Sequence, residues 1–473
     1  MPKIAMIGGG SIIFSTTLLN DLLGTECLEG STYVLMGPTL SKLQQVEAYT
    51  KKVIQKNNLK ADIYSTTDMR EAVKDADYVI AMFQIGGMDA YKLDYEIPLK
   101  HGVDQCLGQC VGPGGVFRAQ RSMPVFVDLI RHMEELCPDA LLMNYVNPMA
   151  ANSIGMGKAG DIAFVGLCHG VQTTLDLIAG YAGEKKEDID FVAAGINHMA
   201  WFLKLEKEGV DLYPKLREAF EKPEYYINDK VRGEVMRHFG YFMTESTGHL
   251  SEYLPYFRKS QKALDLYCDQ PAFGGESGAY YKFCDMLARK YQEDDYLSFE
   301  SGDLDPRSKE YASYVIEAIE TDTVFRFNGN IINKGYITNL PDGCCVEVPM
   351  FADRHGLHPV SVGDLPPQIA ALNQSNVSVQ MLAAEAALKG DPELLYAAVA
   401  MDPLTSAVLT LKEIRDMVID MLEAQREWLP QYEGKVLKKV EIIDTPSDLV
   451  GVSVPLDPAL AIVHRFGKLA ENQ

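Results

Sequence analysis

The sequence predicts an α/β protein, with a parallel sheet at the amino terminus and an α+β region fused behind it. Three observations carry this reading. The first fifteen residues form an apolar stretch, three consecutive glycines and the start of a helical pattern. From there to about residue 200, short apolar runs alternate with longer helical ones, as in a parallel sheet with right-handed crossovers. Beyond that point the alternation fades, and polar helical stretches with a few antiparallel strands take over.

Taken in order, Lys3–Ile7 is a buried strand that runs into Gly8, Gly9 and Gly10, with Ser11 as the cap of the following helix. A helix N-terminus after such a turn offers free N–H groups and a partial positive charge to a pyrophosphate, the mark of a Rossmann-like dinucleotide unit. Gly8 and Gly10 fill the first two places of G-x-G-x-x-G, and Ile13 holds the third. Gly8, Gly10, Ser11 and Ile12 are therefore the expected dinucleotide contacts. The bland alternative is a glycine turn after any buried strand.

Ser31–Met36 is a second strand, whose end should carry an acid for the ribose hydroxyls. Gly37-Pro38-Thr39 stands there instead, which leaves Thr39 and Ser41 for a ribose or Lys42 for a 2′-phosphate. A helix over Leu43–Asn58, a strand over Ala61–Ser65 and a helix over Asp68–Asp75 follow. The buried strand Ala76–Phe83 then leads into a loop, Gln84–Gly87, with Gln84 beside the expected dinucleotide. Gly112-Pro-Gly-Gly115 introduces a long helix, Arg118–Leu136. Strands Ala140–Val146 and Ile162–Leu167 end in Asn147-Pro148 and in Cys168-His169-Gly170. Residues just past the carboxyl ends of parallel strands line the ligand crevice, so Asn147, Cys168, His169 and His198 are candidates. Helices are expected over Lys215–Lys222 and Val231–His238, and antiparallel strands over Phe325–Met350 with turns at Asn328-Gly329 and Pro341–Gly343. The last hundred residues read as mostly helical. The expected division is a dinucleotide-binding part, 1–195, and a substrate- and metal-binding α+β part, 196–473, without a flexible joint.

The 473 residues carry 66 acidic and 44 basic side chains, a formal charge of −22. That balance repels nucleic acid and anionic membranes and argues against both as partners. No apolar run is long enough for a bilayer. The chain opens directly on a core strand, and its nine cysteines form no dense pattern, so a reduced, cytoplasmic setting is expected.

Cys168 and His198 form a thiolate–imidazole pair suited to a divalent metal, or else a small buried hydrophobe and a core histidine. His169 is a candidate acid or base, or a helix-capping histidine. His249 and Tyr253 share a helical face at i,i+4 in Glu245–Tyr253, and that helix is either catalytic or merely solvated. Arg118, Arg121 and Arg307 would bind an anionic group or pair with carboxylates. Cys344-Cys345 reads as structural, because adjacent cysteines in a strand face opposite ways.

Several separated stretches together resemble the family 4 glycoside hydrolases. They are Ile7–Ser11, Gly112–Gly115 with Arg118 and Arg121, Asn144–Ala150, Gly166–His169, Gly195–Trp201, Gly240–Ser246, Leu340–Glu347 and Met401–Pro403. Within that family the chain is most similar to the melibiase-type α-galactosidases. Two departures stand out. Gly170 stands where that group usually has Ser, as in the glucuronidase and galacturonidase branch. Gln109-Cys110 replaces a common Asp-Thr pair.

The resemblance implies NAD and a divalent metal, usually Mn²⁺, as cofactors, and a homodimer or homotetramer. It implies Cys168 and His198 as metal ligands and Asn147 as a contact to both sugar and dinucleotide. Arg118 and His169 would touch the sugar, His169 as the acid that assists the leaving aglycone. His249 or Tyr253 would remove the C2 proton. The implied route oxidises C3 of the sugar with NAD, abstracts the C2 proton, eliminates the aglycone, adds water and returns the hydride. α-Glucuronidase, α-galacturonidase or α-glucosidase activity is the alternative within the family. A lactate- or malate-type dehydrogenase and a non-catalytic nucleotide sensor are the alternatives outside it.

Overall fold

The computed structural model describes residues 1–293, 297, 301–455 and 457–470. Six parallel strands come first: β1 (Lys3–Ile7), β2 (Thr32–Met36), β3 (Asp62–Thr66), β4 (Tyr78–Ala81), β5 (Leu141–Asn144) and β6 (Phe164–Leu167), in the order β3-β2-β1-β4-β5-β6. The connecting helices include α1 (Ile12–Leu23), α2 (Leu40–Lys56), α3 (Met69–Val73), α4 (Gly87–Lys100), α5 (Gly112–Leu136), α6 (Met149–Ala159) and α7 (Gly170–Ala182).

The period-two alternation of β1 decides which helix covers which face. Ile4 and Met6 pack with Leu18 and Leu22 of α1, while Ala5 and Ile7 pack with Phe126, Leu129 and Ile130 of α5. Both faces are buried, which is why these strands read as continuous apolar runs.

The sheet does not stop at β6. It continues through β7 (Asp190–Ile196), β8 (Met199–Lys207), β9 (Val210–Asp211), β10 (Phe325–Ile332), β11 (Cys345–Asp353) and β12 (Gly356–Pro359). β10 lies antiparallel beside β6, pairing Gly329 with Leu167 and Asn330 with Gly166. Asn328-Gly329 therefore sits in the middle of a strand and is not a turn. Gly329 is needed for space: a Cβ there would lie 2.4 Å from Met350 Sδ and 2.9 Å from Val165 Cγ2.

Gly112-Pro-Gly-Gly115 also departs from its expected role as a lead-in, because α5 begins at Gly112 itself. A Cβ on Gly114 would come within 2.4 Å of Gly108 O, and one on Gly115 within 2.5 Å of Cys110 C. These glycines let the backbone of residues 108–110 lie against the helix. α2 starts at Leu40, three residues early, with Thr39 as its N-cap.

Arg121 forms a fully buried pair with Asp94, Nη1 donating to Oδ1 at 2.8 Å, and both side chains are completely excluded from water. It is a bolt between α5 and α4 rather than a ligand contact. Arg307 pairs with Glu317 at 2.6 Å. Cys344 and Cys345 are both buried. Among the described residues no helix is long and apolar enough to cross a membrane. Residues 439–473 form a separate compact unit containing the helix Pro458–Ala470.

Candidate active site

A cleft of about 600 Å³ opens beside the carboxyl ends of β4, β5 and β6. Phe14 of α1 lines it, as do Gln84, Arg118, Asn147, Cys168, His169, His198 and His249. A larger cleft of about 1070 Å³ lies at the amino-terminal side of the same strands, bordered by Asp77, Ala140 and Ile162. It contains none of the predicted site residues.

The glycine turn joins β1 to α1 beside the 600 Å³ cleft, which Phe14, Met82 and Phe83 line. Gly8 has φ +96°, and a Cβ on it would lie 2.7 Å from Phe83 N and 2.8 Å from Met82 C. Only glycine fits there, because both the torsion and the backbone of the residues after β4 forbid a side chain. Gly8 N and Gly9 N donate to Met36 O at 2.8 and 3.0 Å, which ties the turn to β2. Ser11 occupies the N-cap position but its hydroxyl makes no capping hydrogen bond. The expected cap is thus absent, and the first N–H groups of α1 remain available to an anionic ligand. This fits a dinucleotide pyrophosphate.

Gln84 is spent on scaffolding. Its Oε1 accepts from Arg118 Nη2 at 2.9 Å and its Nε2 donates to Gly87 O at 2.9 Å. Arg118 Nε donates to Asn147 O at 3.2 Å. Arg118 Nη1 and Asn147 Oδ1 are buried without hydrogen-bond partners. Buried polar atoms without partners in a cleft wall are what a polar ligand would satisfy.

His198 enters from β7 and β8. Ile196 pairs with Met199, so Asn197 and His198 form a two-residue turn, and His198 has φ +61°. Glu245 has φ +71° just before the helix Thr247–Tyr253. Its N–H donates to Thr174 Oγ1 of α7 at 3.1 Å. A left-handed torsion costs a non-glycine residue about 1–2 kcal/mol. Two such residues side by side in one cleft mark a place where geometry is held for function.

Glu245 is the residue the sequence did not single out, and it sits at the centre. Cys168 Sγ donates to Glu245 Oε1 at 3.3 Å. His198 Nε2 lies 3.7 Å from Oε1, and His249 Nδ1 lies 3.8 Å from Oε2. The ligand atoms of Cys168, His198 and Glu245 all fall within 4.8 Å of one another. Room for Glu245 comes from Gly170, where a Cβ would meet Oε1 at 1.9 Å. The unusual Gly170 and the overlooked Glu245 are one feature.

Burial opposes ionisation of Glu245, but the nearby His169 charge and the hydrogen bond from the Cys168 thiol favour it and hold the carboxyl low. Burial pushes His198 down, and His249 down to about 3, so both are neutral imidazoles. Burial, with the Glu245 and Glu347 charges, keeps the Cys168 thiol protonated. One carboxylate, one neutral imidazole and a thiol with a displaceable proton form a donor set for a divalent cation.

His169 stands at the cleft edge, its side chain 51% exposed and its Nδ1 2.9 Å from Glu310 Oε1. That hydrogen bond raises its pKa. Tyr253 does not line the cleft. It is buried, and its hydroxyl donates to Asn197 O at 3.4 Å.

Residues 3–184 match the sequence model of the Family 4 glycosyl hydrolases, and residues 193–405 match that family's C-terminal domain. The chain belongs to glycosyl hydrolase family 4. Among members of this family, an α-galactosidase of Bacillus subtilis (strain 168) is 39% identical over 92% of this chain and 100% of its own length. An α-galactosidase of Rhizobium meliloti (strain 1021) is 38% identical over 91% of this chain and 89% of its own. The crystal structure of lplD from Bacillus subtilis covers 89% of this chain and 100% of its own, with TM-score 0.80 and 26% identity. A Thermotoga maritima 6-phospho-beta glucosidase solved with manganese, NAD⁺ and glucose-6-phosphate covers 90% of this chain and 99% of its own. Its TM-score is 0.74 at 22% identity, which establishes a shared fold.

Proposed function

We propose that the chain hydrolyses α-galactosides with the help of NAD and a divalent cation such as Mn²⁺. The observation that carries this is the donor set of Cys168, His198 and Glu245, within 4.8 Å of one another, beside the unpartnered Asn147 Oδ1 and Arg118 Nη1. The two α-galactosidases at 38–39% identity supply the sugar. We read residues 1–195 as the dinucleotide part and 196–473 as the part bearing His198, Glu245 and His249. We also read the protein as a cytoplasmic homodimer or homotetramer.

In this reading the N–H groups of the N-cap Ser11 and of Ile12, the first residue of α1, together with the turn of Gly8 and Gly10 hold the pyrophosphate. Cys168, His198 and Glu245 hold the cation. When bound, the dinucleotide supplies reversible hydride exchange at sugar C3, and the cation supplies polarisation of the neighbouring hydroxyls.

The protein's own residues do the rest. Asn147 Oδ1 and Arg118 Nη1 bind and orient the sugar hydroxyls, with Gln84 holding the Arg118 guanidinium in place. His169, kept protonated by Glu310, gives its proton to the departing glycosidic oxygen. His249 is a neutral imidazole, and its Nδ1 lies 3.0 Å from Ser246 Oγ. In the tautomer that donates Nδ1–H to Ser246, Nε2 is free to take the C2 proton. The cleft lining supports His249 over the deeper Tyr253 as this base.

The test is hydrolysis of nitrophenyl α-galactoside, α-glucoside, α-glucuronide and α-galacturonide, omitting NAD⁺, Mn²⁺ and a thiol reductant in turn. Cleavage of the galactoside that disappears on each omission is the expected result. Cleavage without NAD⁺ would overturn the mechanism, and cleavage of a uronide alone would overturn the sugar.

A further inference from the structure

A second thiol–imidazole constellation adjoins the cleft through His198 and His249, which line it. The ligand atoms of Cys110, His198 and His249 also lie within 4.8 Å of one another, and all three residues are buried. We propose that Cys110, His198 and His249 form a site for a soft divalent cation, Zn²⁺ above all, and that its occupation inhibits the enzyme.

Three observations carry it. Nδ1 of His198 has no hydrogen-bond partner although the side chain is only 6% exposed. A buried imidazole nitrogen left open is a waiting ligand. The rings of His198 and His249 stand edge to face, with centroids 4.6 Å apart and planes 73° apart. Ser246 Oγ lies 3.0 Å from His249 Nδ1, so the other ring nitrogen is the one left for a cation.

Ligand atoms around tetrahedral zinc are about 3.3–3.7 Å apart, so a set lying within 4.8 Å closes by at most roughly 1.5 Å. Two nitrogens and one sulfur with an open fourth position are the ligand count of many zinc sites. Hardness separates the two constellations. Cys168, His198 and Glu245 include a carboxylate and suit Mn²⁺, whereas Cys110, His198 and His249 offer no oxygen and suit Zn²⁺. His198 belongs to both, and two dications held on one imidazole repel strongly, so occupation of one site disfavours the other. The site itself stands apart from the proposed function, whereas its inhibitory consequence rests on it.

The experiment uses the full-length protein stripped with a chelator. Zn²⁺ affinity is measured by competition with a chromogenic chelator, and Co²⁺ is added as a spectroscopic stand-in whose thiolate charge-transfer band reports a cysteine ligand. Mn²⁺ binding is followed separately by electron paramagnetic resonance. Cys110→Ser should weaken Zn²⁺ by at least about tenfold and leave Mn²⁺ binding intact. Cys168→Ser should keep tight Zn²⁺ and the thiolate band while losing Mn²⁺. Cys110→Ala, checked by its melting temperature, guards against a folding defect in the serine variant. In the glycosidase assay, micromolar Zn²⁺ should inhibit the parent at least tenfold more strongly than either Cys110 variant. Unchanged Zn²⁺ affinity in both folded Cys110 variants, or loss of the thiolate band in Cys168→Ser, would overturn the proposal. Absence of Mn²⁺ binding in the parent would overturn the catalytic-cation reading and leave the zinc result standing.

Discussion

Gly170→Ala puts the central claim about the site at risk with a single methyl group. The new Cβ would lie 1.9 Å from Glu245 Oε1, 2.8 Å from Glu245 Cδ and 3.4 Å from Cys168 Sγ. Non-bonded atoms need about 3 Å or more, so the carboxylate must retreat by roughly 1 Å. Oε1 is the atom that accepts from Cys168 at 3.3 Å and stands 3.7 Å from His198 Nε2. Its retreat opens the donor set. Disturbing even an outer partner of a metal ligand typically costs about 10–100-fold in metal affinity, or roughly 1.4–2.7 kcal/mol, so displacing a ligand costs at least that much. The fold should not suffer, because the displaced group is the tip of a flexible side chain. Gly170 is also the first residue of α7 and lies outside the left-handed region. Alanine in a helix is neutral or gains up to about 1 kcal/mol over glycine. The expected signature is an unchanged or raised melting temperature with Mn²⁺ affinity down at least about tenfold, read by paramagnetic resonance of free Mn²⁺. Glu245→Gln should show a similar loss. If the only duty of Gly170 is to house Glu245, the double variant binds no worse than Glu245→Gln alone, within about 0.5 kcal/mol. Parental Mn²⁺ affinity in Gly170→Ala, or fully additive losses, would refute the reasoning.

Gly8→Ala meets backbone that cannot step aside: it combines left-handed strain of about 1–2 kcal/mol with crowding of about 1–3 kcal/mol. Its urea midpoint should fall and its NAD⁺ affinity drop at least about tenfold by titration calorimetry, and parental values for both would count against the glycine turn. Asp94→Ala strands the Arg121 guanidinium in a dry interior, so unfolding free energy should fall by about 3–5 kcal/mol, and a loss under 1 kcal/mol would show that the pair is dispensable. Glu347 is buried with Oε1 unpartnered, and burial with the Glu245 charge lifts its carboxyl to about 8. The folded state then holds a proton that the unfolded chain releases near pH 4.5, so stability falls as pH rises from 4.5 to 8. Glu347→Gln should remove that contribution and gain on the parent by a few kcal/mol between pH 5 and pH 8, as measured by chemical denaturation. A pH-independent difference would remove the premise.

Much of the molecule was legible in the chain because the signals are local. The strand alternation, the glycine turn and the ends of β5 and β6 each depend on a few consecutive residues, and they brought Asn147, Cys168 and His169 to one cleft. The errors are also local signals, overruled at a distance. Asn328-Gly329 carries turn chemistry, yet Met350 and Val165 demand a glycine in mid-strand there. Ser11 has the chemistry of a cap and stands at the capping position without using it. The Gly112–Gly115 run looks like a turn and is a close-packed helix start.

The sequence by itself determined the fold class, the order of the strands' ends and the residue types available for chemistry, since hydrophobic period and turn residues are properties of neighbours. Tertiary structure alone decided which of them meet. Glu245 is 75 residues beyond Gly170 in the chain, and the resembling stretch Gly240–Ser246 does not by itself say which of its side chains meets Cys168 and His198. Only the packing of α7 against the segment before Thr247, with a missing Cβ on one side and a left-handed torsion on the other, turns it into the centre of the site.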